Sequence, residues 1–352
     1  MLGFNFNFYP STTATAILRV IAGVNLSRVL KPRSPPNQVV RNEITKMEER
    51  VQSLGFEAYT VGIVCALEFE MSAVRYMLDK EYARLPRKLG DSILYVLGEL
   101  SGHNGKGAVA AVAKDMARTF PSIELRLMVG IGGGVPSGKN DIRLGDVVVS
   151  VPDGEHGGVV QYDLGKNMDD GFIMKGFLWP PPEILRSAVG IIRSDHRVSQ
   201  NKIPEFLSAM FQKSDDLRVS YQQPVEPDEL FQLGYRHVPN QATCQLCDKT
   251  KRVQRPLREP TPKIYYGLIA VVGDVLCFEM EAAGMATQYS CIAVRGVSDY
   301  ADSHKNDVWQ YYAAAAAAGY AKELLSYVDL PQPSTTTAAV GQHGFDSSMG
   351  NL

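Results

Sequence analysis

Two glutamates stand one residue apart in an apolar run: Glu279 and Glu281 in GDVLCFEMEAAG (273–284), flanked by Phe278 and Met280. A buried carboxylate costs several kcal/mol unless it is paired or hydrogen-bonded. If the run is helical, residues two apart are rotated by roughly 200° and face different ways. The plain reading is then one exposed glutamate and one buried in an ion pair; the chemical reading is a ligand that satisfies one of them. Two more carboxylates sit where chemistry is feasible. Glu70 follows YTVGIVC (59–65), and Asp299 follows CIAVRGV (291–297) in VSDYAD. Carboxyl groups of this kind can hold or move protons when burial tunes them. Asp299 could equally cap a following helix, and Glu68 reads as a solvated or capping residue. Gly132, Gly133 and Gly134 follow LRLMVGI in GGGVPSG (132–138), which reads as a loop whose bare backbone N–H groups could approach a sugar or an anion.

These side chains can act together only if the chain brings them to one place. Apolar runs predict strands over 59–65, 93–100, 125–131, 145–151, 265–272 and 291–297. Helical spacing predicts helices after residue 65 and over 108–120, 183–194, FEMEAAGMATQ (278–288) and 309–328. Strand and helix alternate, which gives an α/β class: a three-layer α/β/α sandwich around a distorted, mostly parallel or mixed sheet. Sites in such folds form at the carboxyl ends of strands. Glu70, the glycine run, the glutamate pair and Asp299 all fall at such ends, so one shared cleft is expected.

The motifs VGIVCALEFEM, VGIGGGVPS…DIRLGDVVVS, VLCFEMEAAGM and CIAVRGVSDYADSHKN together resemble the purine and uridine phosphorylase superfamily, in its fungal nucleoside phosphorylase-like form. The resemblance runs from about Tyr59 to Val328. It implies cleavage of an N-glycosidic bond by phosphate or by water. It implies that Asp299 protonates the purine at N7, and that Glu281 binds the ribose hydroxyls with Met280 against the sugar or base. It further implies that Glu70 orients a water, and that Glu279 supports the site on backbone donors. Phe278 and Gly132–Gly134 complete the substrate-binding set. Phosphorylases of the family carry an arginine two residues before the first glycine; Met128 stands there, and Arg126 lies deeper in the strand, so water is favoured over phosphate. The sequence also departs from the family pattern. Relative to that pattern a strand and a loop are missing after GELSGH (98–103), and a segment before the glutamate pair is reduced to VVGD. The alternative reading is therefore a catalytically inactive module that binds a nucleoside or a protein.

The bulk composition is that of an ordinary globular chain. Of 352 residues, 45% are hydrophobic and 21% charged, and the net charge of -2 supplies no field for nucleic acid. No apolar run is long enough to span a bilayer. Five cysteines, an odd number, argue against a disulfide framework. Cys244-x-x-Cys247 with His237 upstream is a partial zinc pattern lacking a second pair of ligands, so neither a metal nor an organic cofactor is expected. His304 reads as a surface or capping histidine. The expected organisation is a disordered or transit-like leader over 1–58, a domain over 59–330 with an irregular insertion at 195–264, and a disordered tail over 331–352. The expected partner is a small nucleoside or nucleotide, with phosphate as a co-substrate if the reaction is phosphorolysis. A homo-oligomer fits the resemblance. The expected compartment is the cytoplasm, with the mitochondrion as the alternative that the acid-free leader allows.

Overall fold

A computed structural model of the chain describes residues 54–109, 113–160, 165–168, 171–174, 178–241, 243–269, 275–279, 285–286 and 289–329. Most of the expected leader, the 331–352 tail, Met280 and Glu281 lie outside the described residues.

The strands are β1 (Val61–Cys65), β2 (Lys80–Tyr82), β3 (Val96–Leu100), β4 (His103–Val109), β5 (Leu125–Gly134) and β6 (Val147–Ser150), then β7 (Gly165–Met168), β8 (Gly171–Met174), β9 (Ile264–Gly267), β10 (Cys277–Phe278) and β11 (Ile292–Asp299). One sheet runs β2-β3-β4-β1-β5-β11-β6-β9, with β10 paired to β5; β7 and β8 form a separate hairpin. Pairing is parallel for β1 with β4 and β5, β5 with β11, and β6 with β9, and antiparallel elsewhere, so the sheet is mixed. The central strands VGIVC and VVVS are buried along their whole length, as expected where both faces are covered.

Helices α1 (Glu68–Met77), α3 (Glu183–Asp195), α4 (Ile203–Phe211) and α6 (Gln310–Leu325) cover one face. There Ile63, Leu127, Val149 and Val294 pack against Val74, Leu185, Leu207 and Leu324. The other face, with Val64, Met128, Val148 and Ala293, packs against Met116 and Phe120 at α2 (Ala113–Thr119) and against Met285 and Ala286. The result is a three-layer α/β/α sandwich. The alanine run of α6 does more than favour helix: a Cβ on Gly296 of β11 would lie 1.9 Å from the Ala313 carbonyl oxygen, so helix and strand backbones touch directly.

Several expectations are corrected. The strand expected to be lost after GELSGH is present. Ser101 and Gly102, with φ of 51° and 80°, form a two-residue turn that sends β4 back along β3 and parallel to β1. The ladder is unbroken; of the helix expected over 108–120, Ala108 and Val109 belong to β4 and 113–119 is helical. The glycine run is not a loop. It is the end of β5, paired to β10 and β11. Cys277 and Phe278 therefore form a strand, not the start of a helix. The 195–264 stretch holds α4 and α5 (Asp215–Tyr221) before it becomes irregular at about residue 222.

Candidate active site

Glu70 is 2% exposed at the third position of α1. Its Oε2 accepts the N–H groups of Ala66 and Leu67, both at 2.9 Å, and its Oε1 accepts that of Ile131 at 2.8 Å. Glu68 is exposed, as the solvated reading has it, and the capping contact is made by Glu70. A glutamate at this position reaches back to the orphan donors of the first turn. Three of the roughly four lone-pair sites of the carboxylate are used, which leaves one on Oε1. Burial pushes the Glu70 carboxyl above its usual range, and the Arg295 guanidinium and the three backbone donors pull it back only in part.

Arg295, in the middle of β11, is 0% exposed. It pairs with Glu279 at 2.5 Å, so Glu279 is the glutamate buried in an ion pair that the plain reading expected. A Cβ on Gly130 would lie 2.4 Å from both Arg295 Nη1 and Glu70 Oε1. The bare backbone of β5 is what lets these two groups close in. Gly132 plays the same part toward β10: its Cβ would meet Cys277 Sγ at 2.6 Å and the Phe278 carbonyl oxygen at 2.7 Å. Burial pushes the Cys277 thiol well up; Arg295 opposes the shift, and Glu279 and Asp299 add to it. One buried thiol therefore feels Arg295, Glu279 and Asp299 together.

Asp299 closes β11, and the register with β5 slips between Val297 and Asp299. Such a bulge re-aims the side chain that follows it. Asp299 leaves the Arg295 side and meets Gly133, where a Cβ would be 2.9 Å from its Oδ1. The Ala301 N–H donates to Oδ1 at 2.8 Å and the Ser298 hydroxyl to Oδ2 at 2.9 Å. No helix starts here, since α6 begins at Gln310, so the capping reading of Asp299 does not hold. Asp299 opens instead into a cleft of about 170 Å³, lined also by Ser298, Glu229, Cys244, His304 and Trp309. Arg255 braces the wall by pairing with Asp228 at 2.6 Å and donating to the Tyr300 hydroxyl at 2.9 Å.

The structure thus joins Glu70, Phe278, Glu279 and the glycine row in one cluster, and sets Asp299 in an adjoining cleft at the same strand ends. The residue missed from the sequence is Arg295. The signal was there: a charge inside CIAVRGV demands a buried counter-ion as much as the glutamates do. Arg126 is remote from the cluster; it donates to the Ile123 carbonyl at 3.1 Å and stacks over Tyr289. His304 is buried, not at the surface, with its ring stacked on Phe231 at 4.2 Å.

No family model matches the sequence. Over 307 residues the chain is 38% identical to a nucleotide-binding leucine-rich repeat (NLR)-like protein of Hyaloscypha variabilis, which covers 79% of this chain and 30% of that protein. The chain therefore spans less than a third of the length of this relative. Among solved structures, the fold is similar to a Helicobacter pylori 5'-methylthioadenosine/S-adenosyl homocysteine nucleosidase (15% identity, 78% of this chain and 100% of the other, TM-score 0.48). It is also similar to a futalosine hydrolase of the same bacterium (15%, 77% and 99%, 0.48). A Neisseria meningitidis nucleosidase of the first type is likewise similar (17%, 76% and 99%, 0.45).

Proposed function

We propose that the chain cleaves the N-glycosidic bond of a purine nucleoside or nucleotide with water. The carrying observation is the charge balance at the strand ends. One buried cation, Arg295, faces two buried carboxylates, Glu70 and Glu279. Such a site has no surplus positive charge to hold a phosphate dianion, whereas a water can donate to the remaining lone pair of Glu70.

In this reading the substrate lies across the strand ends, sugar toward Glu70 and base toward Asp299. Glu70 takes a proton from the water as its oxygen bonds to the anomeric carbon. The carbon–nitrogen bond breaks, and Asp299 gives a proton to N7 so that the base leaves neutral. Glu281 on the ribose hydroxyls and Met280 against the ring follow from the sequence resemblance. So does the nucleoside class of the partner.

The test is chromatographic detection of free base from adenosine, inosine, guanosine and ATP, with and without phosphate. Base release without phosphate, lost in Glu70→Gln and Asp299→Asn, is the expected result. Release only with phosphate would replace hydrolysis by phosphorolysis. A folded protein that gains thermal stability with nucleoside but releases no base would be a binding module.

A further inference from the structure

The segment from Leu230 to Val253 is a closed loop with its own architecture. Its ends are joined by an antiparallel bridge between Phe231 and Arg252, with backbone bonds from Gln232 to Lys251 and from Val253 to Leu230. It has little apolar interior: Leu233 and Leu246 point to solvent, and Phe231 and Cys247 are its buried hydrophobic residues. A loop so poor in core needs another staple. At its centre, His237, Cys244 and Cys247 bring one ligand atom each to within 4.8 Å of one another.

We propose that His237, Cys244 and Cys247 bind a zinc ion, and that His304, whose ring nitrogens lie outside that group, turns in as the fourth ligand on binding. Cys244 opens a 3-10 turn closed by a bond from the Cys247 N–H to the Cys244 carbonyl, and that turn places both sulfurs on one side. His237 Nε2 lies 3.1 Å from the Thr243 carbonyl oxygen and donates to it, which leaves the lone pair on Nδ1. Metal-bound histidines are commonly held by such a second bond. His304 repeats the pattern. Its Nδ1 faces Asp302 at 3.4 Å, and its Nε2 is buried without a hydrogen-bond partner. The His237 and His304 rings are 5.5 Å apart, edge to face. Two imidazoles on one tetrahedral zinc have centroids roughly 5 Å apart, given Zn–N near 2.0–2.1 Å. Two thiolates and two neutral imidazoles are a closed, structural ligand set. On binding, the two thiol protons pass to solvent and the ion keeps no charge-bearing open position.

The site joins the loop to the segment after Asp299. The His237 N–H donates to the Ser303 hydroxyl at 3.0 Å, and Cys244 Sγ sits 4.0 Å from the His304 carbonyl oxygen. Cys244, His304 and Asp299 line the same cleft. The ion would therefore fix one wall of that cleft, and its presence is independent of the proposed hydrolysis.

The test is elemental analysis of the purified full chain, followed by replacement with Co²⁺. One zinc per chain, a lower melting temperature after chelation, and a cobalt spectrum with thiolate charge-transfer and tetrahedral bands are expected. Cys244→Ser, Cys247→Ser and His237→Ala should each weaken binding by at least about tenfold, and Cys291→Ala should not. His304→Ala should change the cobalt bands; an unchanged spectrum would remove it as a ligand. The wild-type protein decides the matter even if a variant fails to fold. A metal-free protein whose melting temperature ignores added zinc, or a Cys244–Cys247 disulfide found by mass spectrometry, would overturn the proposal.

Discussion

Replacing Arg295 with methionine keeps the apolar stem and removes the charge together with the guanidinium donors. Arg295 is wholly buried, and Glu279 opposite it is 3% exposed, so no solvent can take over the pairing. Breaking a buried pair from one side costs about 3–5 kcal/mol. A second route gives the same scale. Glu70, once the cation is gone, can escape by taking up a proton, and an ordinary glutamate titrates near 4.3. At pH 7 that escape costs about 3.7 kcal/mol, at about 1.36 per pH unit. For a domain of this size the loss lowers the melting temperature by roughly 8–15 °C. Its sign with pH follows. A carboxylate whose folded pKa is raised costs nothing below its unfolded pKa, and stability is lost as pH rises toward the folded value. Glu70, already pushed up by burial and pulled down by Arg295, moves further the same way in the variant. The deficit of Arg295→Met against wild type should therefore shrink to about 1 kcal/mol near pH 5. Urea unfolding at pH 5, 6 and 7 measures this. Adding Glu279→Gln should recover part of the loss at pH 7. A deficit that is the same at all three pH values would show that packing, not charge, is what Arg295 supplies, and the charge balance behind the proposed hydrolysis would fall with it.

Glu70→Gln should lower base release by about 10²–10⁴-fold, as expected for loss of a general base. Because burial raises the Glu70 carboxyl, the wild-type rate should fall on acidification with an inflection above the ordinary glutamate value, and Arg295→Met should move that inflection higher. Asp299→Asn should abolish cleavage of purine nucleosides yet spare a riboside whose aryloxide leaves without a proton; equal losses on both would exclude Asp299 as the acid. Gly296→Ala should prevent folding, since its methyl would meet the Ala313 backbone at 1.9 Å, and normal expression with an unchanged melting point would contradict the close strand–helix contact.

What the sequence reveals of this fold depends on how local the cause is. VGIVC and VVVS are continuous apolar runs, and CIAVRGV is one but for Arg295; burial on both faces makes them strands by themselves. HNGKGAV has no such run. It is a strand because β1 offers it a free edge and because Ser101-Gly102 turns the chain back, and neither cause can be read from its own residues. The glycine run misleads for the opposite reason. Glycine suggests a loop, yet here the missing Cβ atoms make room for Cys277, Phe278 and Asp299 against a strand, as Gly130 just before it does for Glu70 and Arg295. The counter-ion of Arg295 stands 16 residues upstream, and His304 lies more than fifty residues beyond the cysteines it adjoins. Pairings of that range belong to the tertiary fold.

The bulge between Val297 and Asp299 bears most directly on how such a site could work. Acid–base cleavage of a glycosidic bond needs one carboxyl group to give a proton while another takes one. Carboxyl groups that share one pocket titrate as a coupled pair and cannot easily be assigned opposite tasks. Without the slip in register, alternation would place Asp299 on the same side of β11 as Arg295, within the Glu70 and Glu279 cluster. With it, Asp299 turns to Gly133 and a cleft of its own, held by the Ala301 N–H and the Ser298 hydroxyl. Arg295 then serves the carboxylates on one side only. Two environments arise side by side at one set of strand ends, and that separation is what lets two groups of the same chemical kind take opposite roles.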